Sequence, residues 1–60
     1  MADPVEVMGK ITQEGPGNSV EAEINRKKHV FRLDQITVFK IKGGAIFTMP
    51  AWLAIREGLA

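Results

Sequence analysis

The chain has no cysteine and only one histidine, His29. Without cysteine there is neither a disulfide framework nor a thiolate metal site. A single imidazole with scattered carboxylates is also a poor ligand set for a structural zinc ion. The sequence therefore predicts no metal site and no bound cofactor.

The chain also lacks an excess of charge of either sign and lacks a long apolar run. Eight Lys and Arg residues against seven Asp and Glu residues give a net charge of +1, whereas a nucleic-acid-binding domain is typically strongly basic. No apolar stretch reaches the 18 residues of a membrane-spanning helix. The N-terminal residues, MADPVEVMGK, lack the basic region of a signal peptide. We expect a soluble, cytoplasmic protein.

With 60 residues, the chain is long enough for one small domain. A domain of this size buries only about 60% of the surface that its unfolded chain exposes, so its stability is marginal. Small domains usually gain stability from disulfides, a metal or a partner subunit. Because the first two are not expected here, the sequence predicts dense packing or self-association, most simply as a homodimer.

The pattern of apolar and polar residues predicts a mainly β protein with a short C-terminal helix, in the order β-β-β-β-α. Ser19–Asn25 alternates cleanly between apolar and polar residues, which is typical of an antiparallel strand with one solvated face. Two architectures fit this order: a small open SH3-like barrel, or a flat sheet that pairs with a second chain. The single domain, residues 1–60, divides into a frayed lead-in at 1–4, strands and hairpins at 5–33, a hairpin at 35–49 and a helix at 50–58.

The C-terminal hairpin is predicted from a strand rich in β-branched and aromatic residues, Ile36–Lys42, followed by Gly43-Gly44. Two glycines suit the two-residue turns that need positive φ angles. This turn would pair Ile41 with Ile46 and Val38 with Met49. The strand is apolar on both faces, which predicts a central position or a covered barrel strand.

The helix signals are local. Pro50 suits the first helical turn, and Gly58 suits the left-handed position that ends a helix. Between them, Trp52, Ile55 and Leu59 fall on one stripe. Because so short a helix is unstable alone, we expect it to dock through Trp52, either on the sheet or on a partner.

No group of residues predicts catalysis. His29 has no carboxylate or nucleophile at a telling spacing, and Asp34 and Glu57 have no second carboxylate to work with. The Gly15-Pro16-Gly17 and Gly43-Gly44 segments lack the Lys-Ser/Thr helix start of a phosphate loop. The sequence predicts a non-enzymatic protein without catalytic residues.

Two binding hypotheses remain open. The first is an interaction with another protein, or with a second copy, through apolar residues near the C-terminus: Phe47, Met49, Trp52 and Ile55. Trp and Met are enriched at protein interfaces. The second is nucleic-acid binding, with Phe31 or Phe39 as stacking faces. It would use a basic edge of six residues: Arg26, Lys27, Lys28, Arg32, Lys40 and Lys42.

The C-terminal run from Pro50 to Leu59 has the form P-x-W-L-A-x-x-x-G-L. It resembles the ending of small uncharacterised phage and prophage proteins, in which a strand leads into a proline-started helix. The resemblance covers about a dozen residues, and the start and stop signals of the helix account for much of it. It implies a phage-type origin and a host or phage protein as the partner, and it implies no activity and no site residue.

Overall fold

A computed structural model describes residues 4–60 of the chain as a sheet of five strands followed by one helix. The mainly β class with a C-terminal helix is confirmed, with five antiparallel strands. The predicted frayed lead-in lies outside the described residues except for Pro4. The elements are β1 (Val5–Glu14), β2 (Ser19–Ile24), β3 (Lys27–Arg32), β4 (Thr37–Ile41), β5 (Gly44–Met49) and α1 (Ala51–Arg56).

The five strands form one open antiparallel sheet in the order β3-β2-β1-β5-β4. The central strand, β1, pairs with two neighbours in succession. Residues 5–9 pair with β5, and residues 10–14 pair with β2. The first strand of the chain therefore joins the N-terminal strands to the C-terminal hairpin, and β3 and β4 form the two edges.

Gly9 lies where β1 changes partner, and the packing there leaves no room for a side chain. A Cβ atom on Gly9 would lie 2.5 Å from the Glu23 carbonyl oxygen and 2.6 Å from Ile24 Cγ1. A Cβ atom on Gly44 would lie 2.7 Å from the carbonyl oxygen of Gly9. The close approach of the strand backbones at this point therefore depends on two glycines.

The core lies on the inner face of the sheet, where β2, β3, β5 and α1 meet. The alternation predicted for β2 is confirmed, because its apolar residues point inward and its glutamates do not. The largest fully buried side chains are Phe31, Phe47, Met49 and Leu53. The buried apolar set is Val20, Ala22, Ile24, Phe31, Ile36, Ala45, Phe47, Met49, Leu53 and Ala54.

The β4–β5 hairpin turns one residue earlier than the sequence predicts. The predicted pairing of Ile41 with Ile46 and of Val38 with Met49 is wrong, since Ile41 lies opposite Gly44 and the other pairs shift accordingly. Each β4 residue faces the β5 residue two positions nearer the turn. Because side chains alternate with a period of two, this shift leaves every residue on its predicted face.

The turn itself consists of Lys42 and Gly43, and only Gly43 has a positive φ angle, +83°. Gly44 is the first residue of β5 and packs closely against Gly9. Two adjacent glycines thus serve different purposes, one in the turn and one in the sheet. The sequence alone does not distinguish them.

The helix lies within the predicted range but is shorter at both ends, Ala51–Arg56 rather than 50–58. Pro50 occupies the position before its first residue, and Gly58 follows it with a φ angle of +75°. The Gly58 N–H donates to the Ile55 carbonyl at 3.0 Å, and the Leu59 N–H donates to the Ala54 carbonyl at 2.7 Å. These two bonds form a Schellman motif. Leu59, which follows this stop, packs against the core.

The buried side of the helix differs from the prediction. Leu53 and Ala54 are buried, whereas Trp52 is 53% exposed and Ile55 is 66% exposed. Successive helical residues are about 100° apart, so a face centred between residues 53 and 54 leaves 52 and 55 about 150° away on either side. The predicted docking of Trp52 on the sheet is therefore wrong, and docking of Trp52 on a partner stays a prediction. In residues 4–60, no helix has the length and apolar character needed to cross a membrane.

Candidate protein-interaction surface

The outer face of β1, β5 and β4 carries an exposed apolar row. Ile46 on β5 lies opposite Met8 on β1 and opposite Phe39 on β4. Directly opposite residues in such ladders have Cβ atoms about 5 Å apart, so the three side chains are neighbours. Met8 is 66% exposed and Phe39 is 65% exposed, with Ile46 half-buried between them. We call Met8, Ile46 and Phe39 the outer row.

The position of Phe39 corrects an expectation. The strand apolar on both faces was predicted to be central or covered, yet β4 is an edge strand with an exposed outer face. Its inner side packs against the core through Val38. The second apolar face of this strand is therefore exposed on the surface. An exposed aromatic side chain such as Phe39 is uncommon in so small a domain.

Opposite charges flank the outer row on β1. Glu6 precedes Met8 by one step on the outer face, and Lys10 follows it by one step; both are exposed. Glu6 lies opposite Thr48, which in turn lies opposite Thr37. The face thus has a carboxylate at one end, apolar side chains in the middle and an ammonium group at the other end.

The four residues predicted for protein contact divide into two pairs. Phe47 and Met49 are buried in the core and contribute to packing rather than to the surface. Trp52 and Ile55 lie on the outer side of α1. The Arg56 guanidinium lies 5.4 Å from the centroid of the Trp52 ring, a cation–π arrangement that partly covers it. The outer row was not among the predicted contact residues.

Half of the predicted basic edge lies beside carboxylates. Three of its six residues are in ion pairs: Lys28 with Glu21 at 3.9 Å, Arg32 with Asp34 at 2.9 Å and Lys40 with Glu14 at 3.5 Å. Of the two predicted stacking faces, Phe31 is buried and only Phe39 is exposed.

The structure brings the turns that contain Arg26 and Lys42, two residues of the basic edge, to one groove. The β2–β3 turn contains Arg26, and the β4–β5 turn contains Lys42. A groove of about 380 Å³ is lined by Arg26, by Lys10 and by Gly43, the residue after Lys42. The same groove is also lined by the carboxylate residue Glu23.

The only titratable residue pair in the described core region was missed from the sequence. His29 is 8% exposed, and its Nδ1 donates to Glu57 Oε1 at 3.0 Å. The imidazole also stacks on Phe31, with ring centroids 5.9 Å apart. The spacing in the sequence gives no sign of this pair, because strand pairing and helix docking bring together residues 28 positions apart.

A histidine bound to a carboxylate forms two parts of a nucleophilic triad, and the third part is a hydroxyl or thiol group. The hydroxyl groups that form hydrogen bonds within residues 4–60 bond elsewhere: Thr12 to Glu21, and Ser19 to the Pro16 carbonyl. The same residues contain no cluster of three or more His, Cys, Asp or Glu side chains that could hold a metal ion. The geometry of the His29–Glu57 pair fits a structural connection between β3 and the end of α1.

Comparison of the chain with models of protein families, with curated proteins and with solved structures gave no match. The resemblance of the C-terminal helix to phage-type proteins therefore stays a prediction.

Proposed function

We propose that the protein is a non-enzymatic protein-interaction module that binds its partner through the outer row. The observation that carries this proposal is the alignment of Met8, Ile46 and Phe39 in one exposed row across three strands. Their alignment makes one continuous surface from residues far apart in sequence.

The chemistry of the outer row supports a protein partner. Aromatic and Met side chains are enriched in protein interfaces, and Lys and Glu are depleted from their centres. Burying a Phe or Met side chain contributes about 1.5–3 kcal/mol. Ile46 and Phe39 lie on a strand surface, and Met8 borders the open groove that Lys10 and Arg26 also line, whereas sites for small molecules bury most of their ligand. A flat or gently curved protein surface is therefore the partner that fits.

The resemblance of the C-terminal helix supports a phage-type setting, in which the partner is a host or phage protein in the cytoplasm. The central β1, shared by β5 and β2, supports an SH3-like character for the open sheet. Both statements are part of the proposal and do not alter which surface is used.

The first test compares matched variants of exposed apolar residues. Phe39→Ser and Met8→Ser remove outer-row side chains, and Val30→Ser removes a side chain of similar exposure, 62%, from β3. Surface substitutions of this kind change stability by about 0.5 kcal/mol or less. Proteins that tagged wild-type chain retains from host lysate would be purified and titrated against each variant by calorimetry.

We expect Phe39→Ser to raise the dissociation constant about tenfold or more, which corresponds to roughly 1.4 kcal/mol or more of lost apolar burial. Val30→Ser should leave it unchanged. Equal binding by Phe39→Ser and the wild-type chain, or equal loss on Val30→Ser, would contradict the assignment of the outer row.

A second candidate function is nucleic-acid binding, and the groove lined by Arg26, Lys10 and Gly43, the residue after Lys42, favours it. Phosphate contacts make such binding strongly salt-dependent. Titration with single- and double-stranded oligonucleotides at two salt concentrations tests it. We expect affinity at low salt that falls on changing Arg26 and Lys42 to Ala; absence of binding at low salt would exclude this function.

A further inference from the structure

We propose that a second copy of this chain covers the outer row, with the two copies stacked face to face about a two-fold axis along the row. This inference rests on the proposed function, because it uses the same surface. A two-fold axis along the row places Met8 against the partner's Met8, Ile46 against the partner's Ile46 and Phe39 against the partner's Phe39. Such an isologous contact is self-complementary and closes at two subunits.

The charges on β1 fit this arrangement. Glu6, Met8 and Lys10 project from the outer face at successive alternate positions, and all three are exposed. A two-fold axis along the row keeps β1 over the partner's β1 and reverses its direction. Glu6 of each copy then lies opposite the partner's Lys10, so every dimer has two pairs of opposite charges beside an apolar centre.

Other pairings of two copies fit the charge pattern less well. An axis parallel to the strands would place β1 over the partner's β4, with Glu6 opposite the partner's Thr37 and Lys10 opposite the partner's Ile41. Edge-to-edge pairing through β3 is opposed by its cationic side chains, Lys27, Lys28 and Arg32. Charged residues on an edge strand discourage strand addition. The outer face with its axis along the row is the arrangement in which opposite charges meet.

The size of the face sets the strength of the contact. Three strands about 4.8 Å apart, with about five residues each at roughly 3.3 Å, cover an area near 15 Å by 17 Å. That is roughly 250 Å² of face per copy, well below the roughly 800 Å² per partner of a standard specific interface. Aligned sheets pack about 10 Å apart, a gap that long Glu and Lys side chains can span at the rim. We therefore infer a weak dimer that dissociates on dilution and stabilises a marginal domain by mass action.

A charge-reversal experiment tests the geometry. Glu6→Lys and Lys10→Glu each turn both attractive pairs of the dimer into repulsive pairs. Each variant alone should show a dimer dissociation constant about tenfold above that of the wild-type chain. An equimolar mixture should regain dimerisation near the wild-type level, because both charge pairs are again opposite in the heterodimer. Sedimentation equilibrium at low ionic strength measures all three, and the differences should shrink at high salt.

Two further variants make the result specific. Lys27→Glu makes the same charge change as Lys10→Glu on β3, away from the outer face, and should leave the dissociation constant unchanged. Phe39→Ser should abolish the dimer, while circular dichroism checks that each variant is folded. The proposal would be overturned if the mixture associates no better than its two components. It would also be overturned if the wild-type chain stays monomeric up to about 1 mM, a concentration at which a contact worth roughly 4 kcal/mol or more is detected.

The outcome also separates this inference from the proposed function. If the wild-type chain is monomeric but Phe39→Ser loses a purified heterologous partner, the second copy is excluded and the interaction surface stands. If outer-row substitutions affect neither self-association nor heterologous binding, both proposals fail.

Discussion

His29 on β3 and Glu57 after the last residue of α1 are joined by a hydrogen bond of 3.0 Å between Nδ1 and Oε1. The pair connects the edge strand β3 to the C-terminal end of α1. The imidazole is almost fully buried and rests against Phe31. This contact fixes the helix at its C-terminal end, while Leu53 and Ala54 fix its middle.

Removing the acceptor should therefore weaken helix docking. Glu57→Ala leaves a buried imidazole N–H without a partner, which costs about 1–3 kcal/mol of unfolding free energy. Glu57→Gln retains an acceptor oxygen and should lose less. Urea denaturation followed by circular dichroism measures both. Asp34→Ala, which breaks an exposed ion pair, is the control and should change stability by less than about 1 kcal/mol. Equal stabilities for Glu57→Ala and the wild-type chain would show that the bond contributes nothing.

Gly9→Ala should be strongly destabilising. Its Cβ would meet a backbone oxygen at 2.5 Å, and a strand backbone cannot move away without breaking the pairing of β1. Overpacking of this kind costs about 1–3 kcal/mol or more. Gln13→Ala, at an exposed position of the same strand outside the outer row, is the matched control. Thermal unfolding measures both variants, and equal melting temperatures would contradict the close packing at Gly9.

Trp52→Ala should cost far less than the loss of a buried aromatic side chain. Trp52 is half exposed, whereas Leu53 is fully buried. We expect Leu53→Ala to cost about 2–5 kcal/mol and Trp52→Ala about 1 kcal/mol or less. Denaturation midpoints compare the two. Acrylamide quenching of the single tryptophan gives an independent readout, and a fluorescence protected from quenching would contradict the outward orientation.

Gly58→Val tests the helix stop through backbone conformation alone. The φ angle is +75°, and a Cβ built on Gly58 meets no atom within 4 Å, so steric contact adds nothing. A left-handed conformation costs about 1–2 kcal/mol for a residue with a side chain. Gly58→Asn should cost less, since Asn tolerates this conformation. Identical melting temperatures for the Val and Asn variants would argue against this explanation.

The local features of the fold were predictable from sequence because neighbouring residues encode them. The alternation of β2 and the Pro50 and Gly58 boundaries of the helix are examples. The rotation of the helix was not predictable, because the apolar stripe containing Trp52 is as good a helical face as the one containing Leu53. Only packing against the sheet decides between them.

The candidate site depends on contacts between distant segments, which explains why the sequence did not reveal it. Met8, Phe39 and Ile46 become neighbours only when β5 pairs with both β1 and β4 in one register. Likewise, no spacing rule connects His29 to Glu57. Exposed apolar residues can be suspected from alternation alone, but their alignment into one row requires the order of the strands.

The sharing of β1 between two partners also constrains how the protein folds. Val5 pairs with Met49, so the first and last strands of the sheet are neighbours. Such distant pairing raises the contact order and slows folding relative to a helical domain of the same size. The N-terminal half of β1 has no sheet partner until β5 has been synthesised. A growing chain therefore carries this strand with an unpaired edge while residues 10–43 are added.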